Sequence, residues 1–400
     1  MSQPSVLVLD NPIQNYAWGS HTAIAELLGR KAPSAQPEAE LWIGAHPKAP
    51  SRIAEPRGKG TLDRAIQDDP VGVLGSEVCD RFGNELPFLF KVLAAQEPLS
   101  IQAHPSQQQA RSGWARENAE GIPLDAPRRN YRDLNHKPEL LCALSPFLAL
   151  KGFRPADEIV RGLEPIARPE LAAATSRLAH EQTPTALRAL FARLMTLEPE
   201  EREPLLRRAA AQAARRAGEP AWQWLKQLLE RHPGDVGALA PLYLNLVTLA
   251  PGQAFFLPSG ELHAYLEGTA LEIMANSDNV LRGGLTPKHV DVQELLATLV
   301  FDAHAPELVQ LDENGPGEKV FRTPAREFEL GFLEVGAGRP FTAPGGRGVE
   351  ILLQLEGECR LASAGSALTL ARGRSVLVPA ALESYVLEGE GRVARARVPA

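Results

Sequence analysis

Two stretches of the chain are versions of one another. "TLAPGQAFFLPSGELHAYLEG", Thr248 to Gly268, overlays "TLARGRSVLVPAALESYVLEG", Thr369 to Gly389, without a gap. The opening Thr-Leu-Ala, the next glycine, the proline and the closing Leu-Glu-Gly coincide, and the strand between them is apolar in both copies. A repeat restricts the fold more than any composition figure, because each copy has to bury its apolar residues in the same way. The chain is therefore expected to contain two similar β-barrels. The chemically telling difference is that His263 of the first copy stands where the second has Ser384.

The first copy runs Gly252, five residues, Pro258, one residue, Gly260, two residues, His263. Gly and Pro at this spacing turn the chain at the mouth of a barrel, and the next strand aims its histidine inward. The pattern resembles the second motif of the cupin superfamily up to its final Asn, where this chain has Glu267; in cupins that histidine is a metal ligand. The second copy keeps Pro379 but has Ala381 for the glycine and Ser384 for the histidine, which predicts a structural barrel without metal.

Residues up to about 152 carry short apolar runs punctuated by Pro and Gly, such as "SVLVLD", "PFLFKVLAA" and "LSIQAH". They read as strands, with an occasional helix such as "HTAIAELLG". From about Arg154 to Leu249, apolar residues recur at three- and four-residue spacing among many Ala, Leu and Arg, which predicts several short helices. Their arginine runs read as solvated faces. Strand character returns after about Thr248. The expected architecture is mainly β with an α-helical insertion: a discontinuous catalytic cupin-type (jelly-roll) barrel over 1–152 and 240–310, a helical subdomain over 153–239, and a metal-free barrel over 311–400.

The 400 residues carry a net charge of −7, which gives no broad attraction to nucleic acid or an anionic membrane. A few local cations could still hold a small anion. Three widely spaced cysteines (Cys79, Cys142, Cys359) form no CxxC pair and fit a reducing compartment. The opening residues show no basic region followed by an apolar core, and no apolar run approaches the roughly 20 residues of a membrane span. A cytoplasmic location is expected.

A metal site is the next inference. In "LSIQAHPSQQQA" alternation puts Gln102 and His104 on the polar face of a strand closed off by Pro105. On a strand of the same barrel they could converge with His263, and Glu139, which opens an apolar run in "HKPELLCAL", is a fourth candidate. One amide oxygen, two imidazoles and one carboxylate form a borderline donor set that suits Zn²⁺, and open positions would make the site catalytic.

Five segments in order, "NYAWGS", "ELWIGAHPKAPS", "LPFLFKVLAAQEPLSIQAHP", "NHKPE" and "HAYLEGTALEIMANSDNVLRGGLTPKHVDV", resemble the type I phosphomannose isomerases over nearly the whole chain. The resemblance implies one zinc per chain on Gln102, His104, Glu139 and His263, and a sugar-phosphate substrate. It also implies interconversion of mannose 6-phosphate and fructose 6-phosphate through an enediol(ate), an entry to mannose activation and GDP-mannose, and a monomer. The departures are Gly283 in "RGGLTPK" and the lack of basic residues after His104-Pro105.

Moving a proton between C1 and C2 needs a cation at the oxygens and a base at the carbon. Arg282 keeps its charge and can face the enediolate or the phosphate. Lys288 and Ser100 are implied by the resemblance as phosphate contacts. Lys91, a charge inside the apolar "FLFKVLAA", either snorkels at a strand end or points into the pocket. Glu272 and Lys137 compete for the proton-transfer role, and the sequence does not choose between them. His136 reads as a support for its turn. His46, His289, His180 and His232 read as structural or surface residues. A cupin metal oxygenase and a non-catalytic sugar-phosphate-binding bicupin stay open as alternatives.

Overall fold

A computed structural model of the chain describes residues 5–54, 60–363 and 366–399; the first four residues of the stretch read for a targeting signal lie outside them. The described residues are mostly β with helices. They build two ten-stranded sheets. No helix among them is long and apolar enough to cross a membrane.

The first sheet has the Glu139–Ala143, His263–Ala275, Phe88–Ala95 and Glu40–Ile43 strands side by side. The Phe88–Ala95 strand, FLFKVLAA, is buried along its whole length because both its faces are covered. On one face Phe88, Phe90, Val92 and Ala94 join Leu140, Cys142, Leu271 and Ile273 in a core shared with Phe328, Leu330, Ile351 and Leu353 of the second sheet. On the other face Leu89, Lys91 and Leu93 line a cavity. The two-residue period of the strand thus sends apolar side chains to the joint between the sheets and leaves the opposite face for chemistry.

Five helices (Ala156–Leu163, Ala172–Glu181, Pro184–Met195, Pro199–Arg215 and Pro220–Arg231) follow the Phe147–Phe153 strand. They pack through Leu163, Leu187, Phe191, Trp222 and Leu225 onto Leu150, Phe153 and Leu281 of the strands. The helical run continues to Tyr243 and the next strand opens at Leu244, ahead of the expected Thr248. The alternation of "LNLV" is masked there by the preceding "APLY" turn.

Two further differences from the sequence reading have physical causes. Helices at Leu62–Asp68, Pro70–Leu74, Ser76–Phe82 and Gln107–Ala119 lie in the region read as strands and loops with an occasional helix. The last is polar nearly all round, so it has no apolar stripe. Its start is a capping box, with Ser106 accepting from the Gln109 backbone N–H and Gln109 accepting from that of Ser106. The Leu7–Asp10 strand, expected in the first barrel, pairs instead with Ser375–Val378 in the second sheet.

The repeat is visible in the strand register. Leu257 pairs with Glu139, and Val378, at the same place in the second copy, pairs with Glu350. Glu350 is therefore the second sheet's counterpart of Glu139, and it is fully buried. It accepts from the Tyr385 hydroxyl at 2.7 Å and lies 3.6 Å from a guanidinium nitrogen of buried Arg395, which also meets Glu318. Ser384 is exposed.

Arg395→Met would leave the buried Glu350 carboxylate without its cation and Glu318 with Arg397 alone, at a cost of about 3–5 kcal/mol. Urea unfolding would read this as a lower midpoint. A loss under about 1 kcal/mol would show that the network is not what holds this sheet.

Candidate metal centre

The Ile101–Ala103 strand lies between two others, and Gln102 is in register with His263 on one side and Arg282 on the other. Residues in register across antiparallel strands share a face, so these three side chains form one row. Gln102 and Arg282 both line a cavity of about 460 Å³. His104 follows directly after the strand and is buried.

Ligand atoms of His104, Glu139 and His263 lie within 4.8 Å of one another, and all three residues are buried. His104 Nε2 is 3.3 Å from Glu139 Oε1, and His263 Nε2 is 3.5 Å from Oε2. Each Nδ1 is held by a backbone carbonyl, that of Asn279 at 2.8 Å for His104 and that of Glu261 at 3.0 Å for His263. The Nδ1–H donates there and leaves the Nε2 lone pair turned toward the carboxylate. Both Nε2 atoms are buried with no hydrogen-bond partner among the described residues. An unpartnered buried nitrogen costs roughly 1–3 kcal/mol unless something else satisfies it. A divalent cation between the three residues would do so, and the donor set suits zinc.

The supports of these imidazoles are themselves anchored. Fully buried Asn279 donates to Asp133 and Asn135 and accepts from the Arg132 and Asp133 backbone N–H groups. That ties "NSDN" to "YRDLNH" and fixes the carbonyl facing His104. Glu261 takes an ion pair from buried Lys151 at 2.6 Å. Gly260 has φ +80°, and a Cβ there would stand 2.9 Å from the Thr298 carbonyl, so the motif needs glycine.

Burial opposes ionisation of Glu139, but the Lys137 ammonium at 3.0 Å outweighs it and holds the carboxyl well below the usual range. Burial lowers the His263 pKa to about 4 despite the pull of Glu139, so the imidazole is neutral at pH 7 and able to ligate. Tyr265 lies two residues after His263, and its hydroxyl reaches Glu272 at 2.8 Å and Glu139 at 3.2 Å. Glu272 also pairs with Lys91 at 2.9 Å. Burial works against the Lys91 ammonium, yet Glu272, Glu40 and Glu139 together hold its pKa above the ordinary lysine value. Lys91 therefore faces the cavity as a fixed, paired cation.

At another part of the wall stand Arg132, Arg282 and Lys288. None of these side chains has a carboxylate partner among the described residues. Burial first and the other cations second lower the pKa values of Arg282 and Lys288. Ser100 also lines the cavity.

The sequence reading missed part of this wall. His46, read as structural or surface, lines the cavity, packs edge-on to Trp42 and lies 3.7 Å from Asp278. Burial brings its pKa to about 4. Arg132 and Asp278 also line the cavity; neither was singled out, although Asp278 stood within a quoted segment. For Tyr265 a signal was present, since the two-residue period puts it on the face of His263. His136 does support its turn, through Glu327 at 2.8 Å. His180, His232 and His289 are not among the lining residues.

Comparison with known proteins agrees with this site. Residues 6–156 match the family description "Phosphomannose isomerase type I, catalytic domain". The chain is 45% identical over 392 residues to the mannose-6-phosphate isomerase of Salmonella typhimurium, covering 97% of this chain and 98% of that protein. It is 37% identical over 365 residues to that of Homo sapiens, covering 84% and 83%. A zinc-bound crystal structure of mannose 6-phosphate isomerase superimposes with a TM-score of 0.92 at 43% identity, covering 99% of this chain and 100% of that one. The chain belongs to the type I phosphomannose isomerase family.

Proposed function

We propose that this protein interconverts D-mannose 6-phosphate and D-fructose 6-phosphate as a zinc-dependent isomerase, with the metal held by Gln102, His104, Glu139 and His263. The observation that carries the reading is the pair of buried, unpartnered imidazole nitrogens turned to one carboxylate, in a cavity whose other wall holds unpaired cations. Zinc, when bound, supplies a Lewis acid for the sugar's carbonyl and neighbouring hydroxyl oxygens.

The chain's own residues supply the rest. Arg132, Arg282 and Lys288 repel one another until an anion arrives, and a phosphate satisfies all three. Ser100 offers a hydroxyl to the same substrate. Arg282, in register with Gln102, also stands where negative charge develops on the enediolate oxygens. Both Glu272 oxygens already have donors, Tyr265 and Lys91, whereas Lys137 has Glu139 alone. That favours Lys137 for the proton between C1 and C2, with Glu272 fixing the charge of Lys91. The unpaired cations and a fourth donor in Gln102 speak against the oxygenase reading.

The same proposal covers the architecture: two cupin-type barrels, over 1–152 with 240–310 and over 311–400, with a helical subdomain over 153–239. The register equivalence of Glu139 and Glu350 supports it; the Leu7–Asp10 and Arg52–Ile53 strands, which lie in the second sheet, are exceptions. A cytoplasmic monomer feeding mannose activation and GDP-mannose fits the chain.

A coupled assay of mannose 6-phosphate turnover should lose its signal with a chelator and regain it with zinc; metal-replete protein without turnover would end the isomerase reading. Lys137→Met should lower kcat by about 10²–10⁴-fold at unchanged zinc content. A comparable loss in Glu272→Gln alone would reverse the assignment. Lys288→Ala should lower kcat/KM about 10–100-fold by losing a charged hydrogen bond to phosphate, chiefly through KM; an unchanged KM would remove Lys288 from the phosphate site.

A further inference from the structure

Among the described residues, the second sheet sends no side chain into the metal cavity, whose lining runs from Tyr16 to Lys288. It does reach the segment that carries Lys137. The "NHKPE" backbone is held at both ends: the Asn135 carbonyl accepts from the Asn279 amide at 2.9 Å, and the Pro138 carbonyl from the Ala275 N–H at 3.1 Å. Between these holds, the backbone of His136 and Lys137 makes no hydrogen bond among the described residues. Side chains pin it instead. Lys137 lines the metal cavity and meets Glu139 at 3.0 Å, whereas His136 lies outside that lining and meets Glu327 at 2.8 Å.

Glu327 sits in the bend before the Glu329–Val335 strand of the second sheet. Burial works against its charge, but the hydrogen bond with His136 holds its carboxyl below the usual range. An ionised carboxylate only accepts, so the His136 Nε2 carries the hydrogen and donates. The second carboxylate oxygen accepts from the Arg326 backbone N–H at 3.1 Å, which fixes the orientation of the group. The bend is itself gripped from the first half of the chain. Arg81 donates to the Arg326 carbonyl at 3.0 Å and to the Pro399 carbonyl at 2.8 Å, and is paired with Glu77. The carboxylate that meets His136 is thus an aimed group, not a free surface glutamate.

We infer that Glu327 is a positioning residue for the isomerisation: by holding His136 it aims the adjoining Lys137 at the substrate, which gives the second sheet a share in the reaction. This rests on the assignment of the proton transfer to Lys137 made above. To reach a sugar carbon the ammonium has to leave Glu139, and its aim then depends on the backbone from which it springs. The His136 side chain is the hold on that backbone between Asn135 and Pro138. Glu327 therefore acts on turnover, while the cations that take the phosphate are untouched by it.

The test uses the zinc-loaded full chain in the coupled mannose 6-phosphate assay, with zinc content measured for every variant. Glu327→Ala should lower kcat about 10-fold through misplacement of Lys137, at unchanged KM and zinc content. Glu327→Gln, which keeps an oxygen for the His136 N–H, should restore most of that kcat. Adding Glu327→Ala to Lys137→Met should cost less than about twofold, because the group it aims is gone. A mere brace between the sheets would lower the urea midpoint and leave kcat alone, so an unchanged kcat in Glu327→Ala overturns the inference. An equal loss in Glu327→Gln, a change in KM alone, or a loss that persists in full in Lys137→Met overturns it too. Failure of the Lys137 assignment shows separately, as a wild-type kcat in Lys137→Met itself, and takes this inference with it.

Discussion

The site depends on a carboxylate kept ionised where burial alone would protonate it. Glu139 has almost no exposure, and desolvation works against its charge. The Lys137 ammonium at 3.0 Å reverses that balance, with two imidazole nitrogens standing at 3.3 and 3.5 Å. A carboxylate in this state is a ready ligand, and so is an imidazole kept neutral by burial. The elements around them exist to hold three side chains within one ion's reach. Carbonyls fix the rings, Asn279 fixes one carbonyl, and a buried Lys151–Glu261 pair anchors the residue that supplies the other.

The cavity wall is a graded electrostatic surface. Beyond Glu139, Tyr265 leads to Glu272, Lys91 and Glu40, a run of alternating charges in which each group has its partner. Past it stand Arg132, Arg282 and Lys288, which have none. A sugar phosphate laid across this surface meets matched charges at one end and unmatched cations at the other, which fixes its direction before any chemistry begins. The second sheet shows the alternative to a metal. There the counterpart carboxylate Glu350 faces the Arg395 guanidinium, a cation the chain carries permanently.

The convergence of His104, Glu139 and His263 was legible in the sequence because its signals are local. Gln102 and His104 share one alternating strand, His263 ends a Gly-Pro-Gly turn, and Glu139 opens an apolar run. The repeat foretold two related β units, and the register of Glu139 and Glu350 matches that expectation. What could not be read depends on distance along the chain. His46 becomes a cavity residue only because Trp42 and Asp278 close on it, and nothing near "GAHP" announces this. The Gln107–Ala119 helix escaped because it has no apolar stripe, although its capping box was visible. The Leu7–Asp10 strand went to the far sheet because its partner lies near the other end of the chain.

That last pairing governs how the molecule can be made. On the ribosome, Leu7–Asp10 can pair along one edge with Arg52–Ile53, but its other edge has no partner until Ser375–Val378 follows. The core on the face of the first sheet carrying Phe88, Phe90 and Ile273 is likewise incomplete until the second sheet is synthesised. The half that holds His104, Glu139 and His263 is therefore complete in sequence long before it is complete in packing. Closing so long a loop is slow, and the waiting apolar face is open to association in the meantime. These two distant strands act as a clasp, and maturation of the site is tied to the synthesis of the second sheet rather than of its own segment.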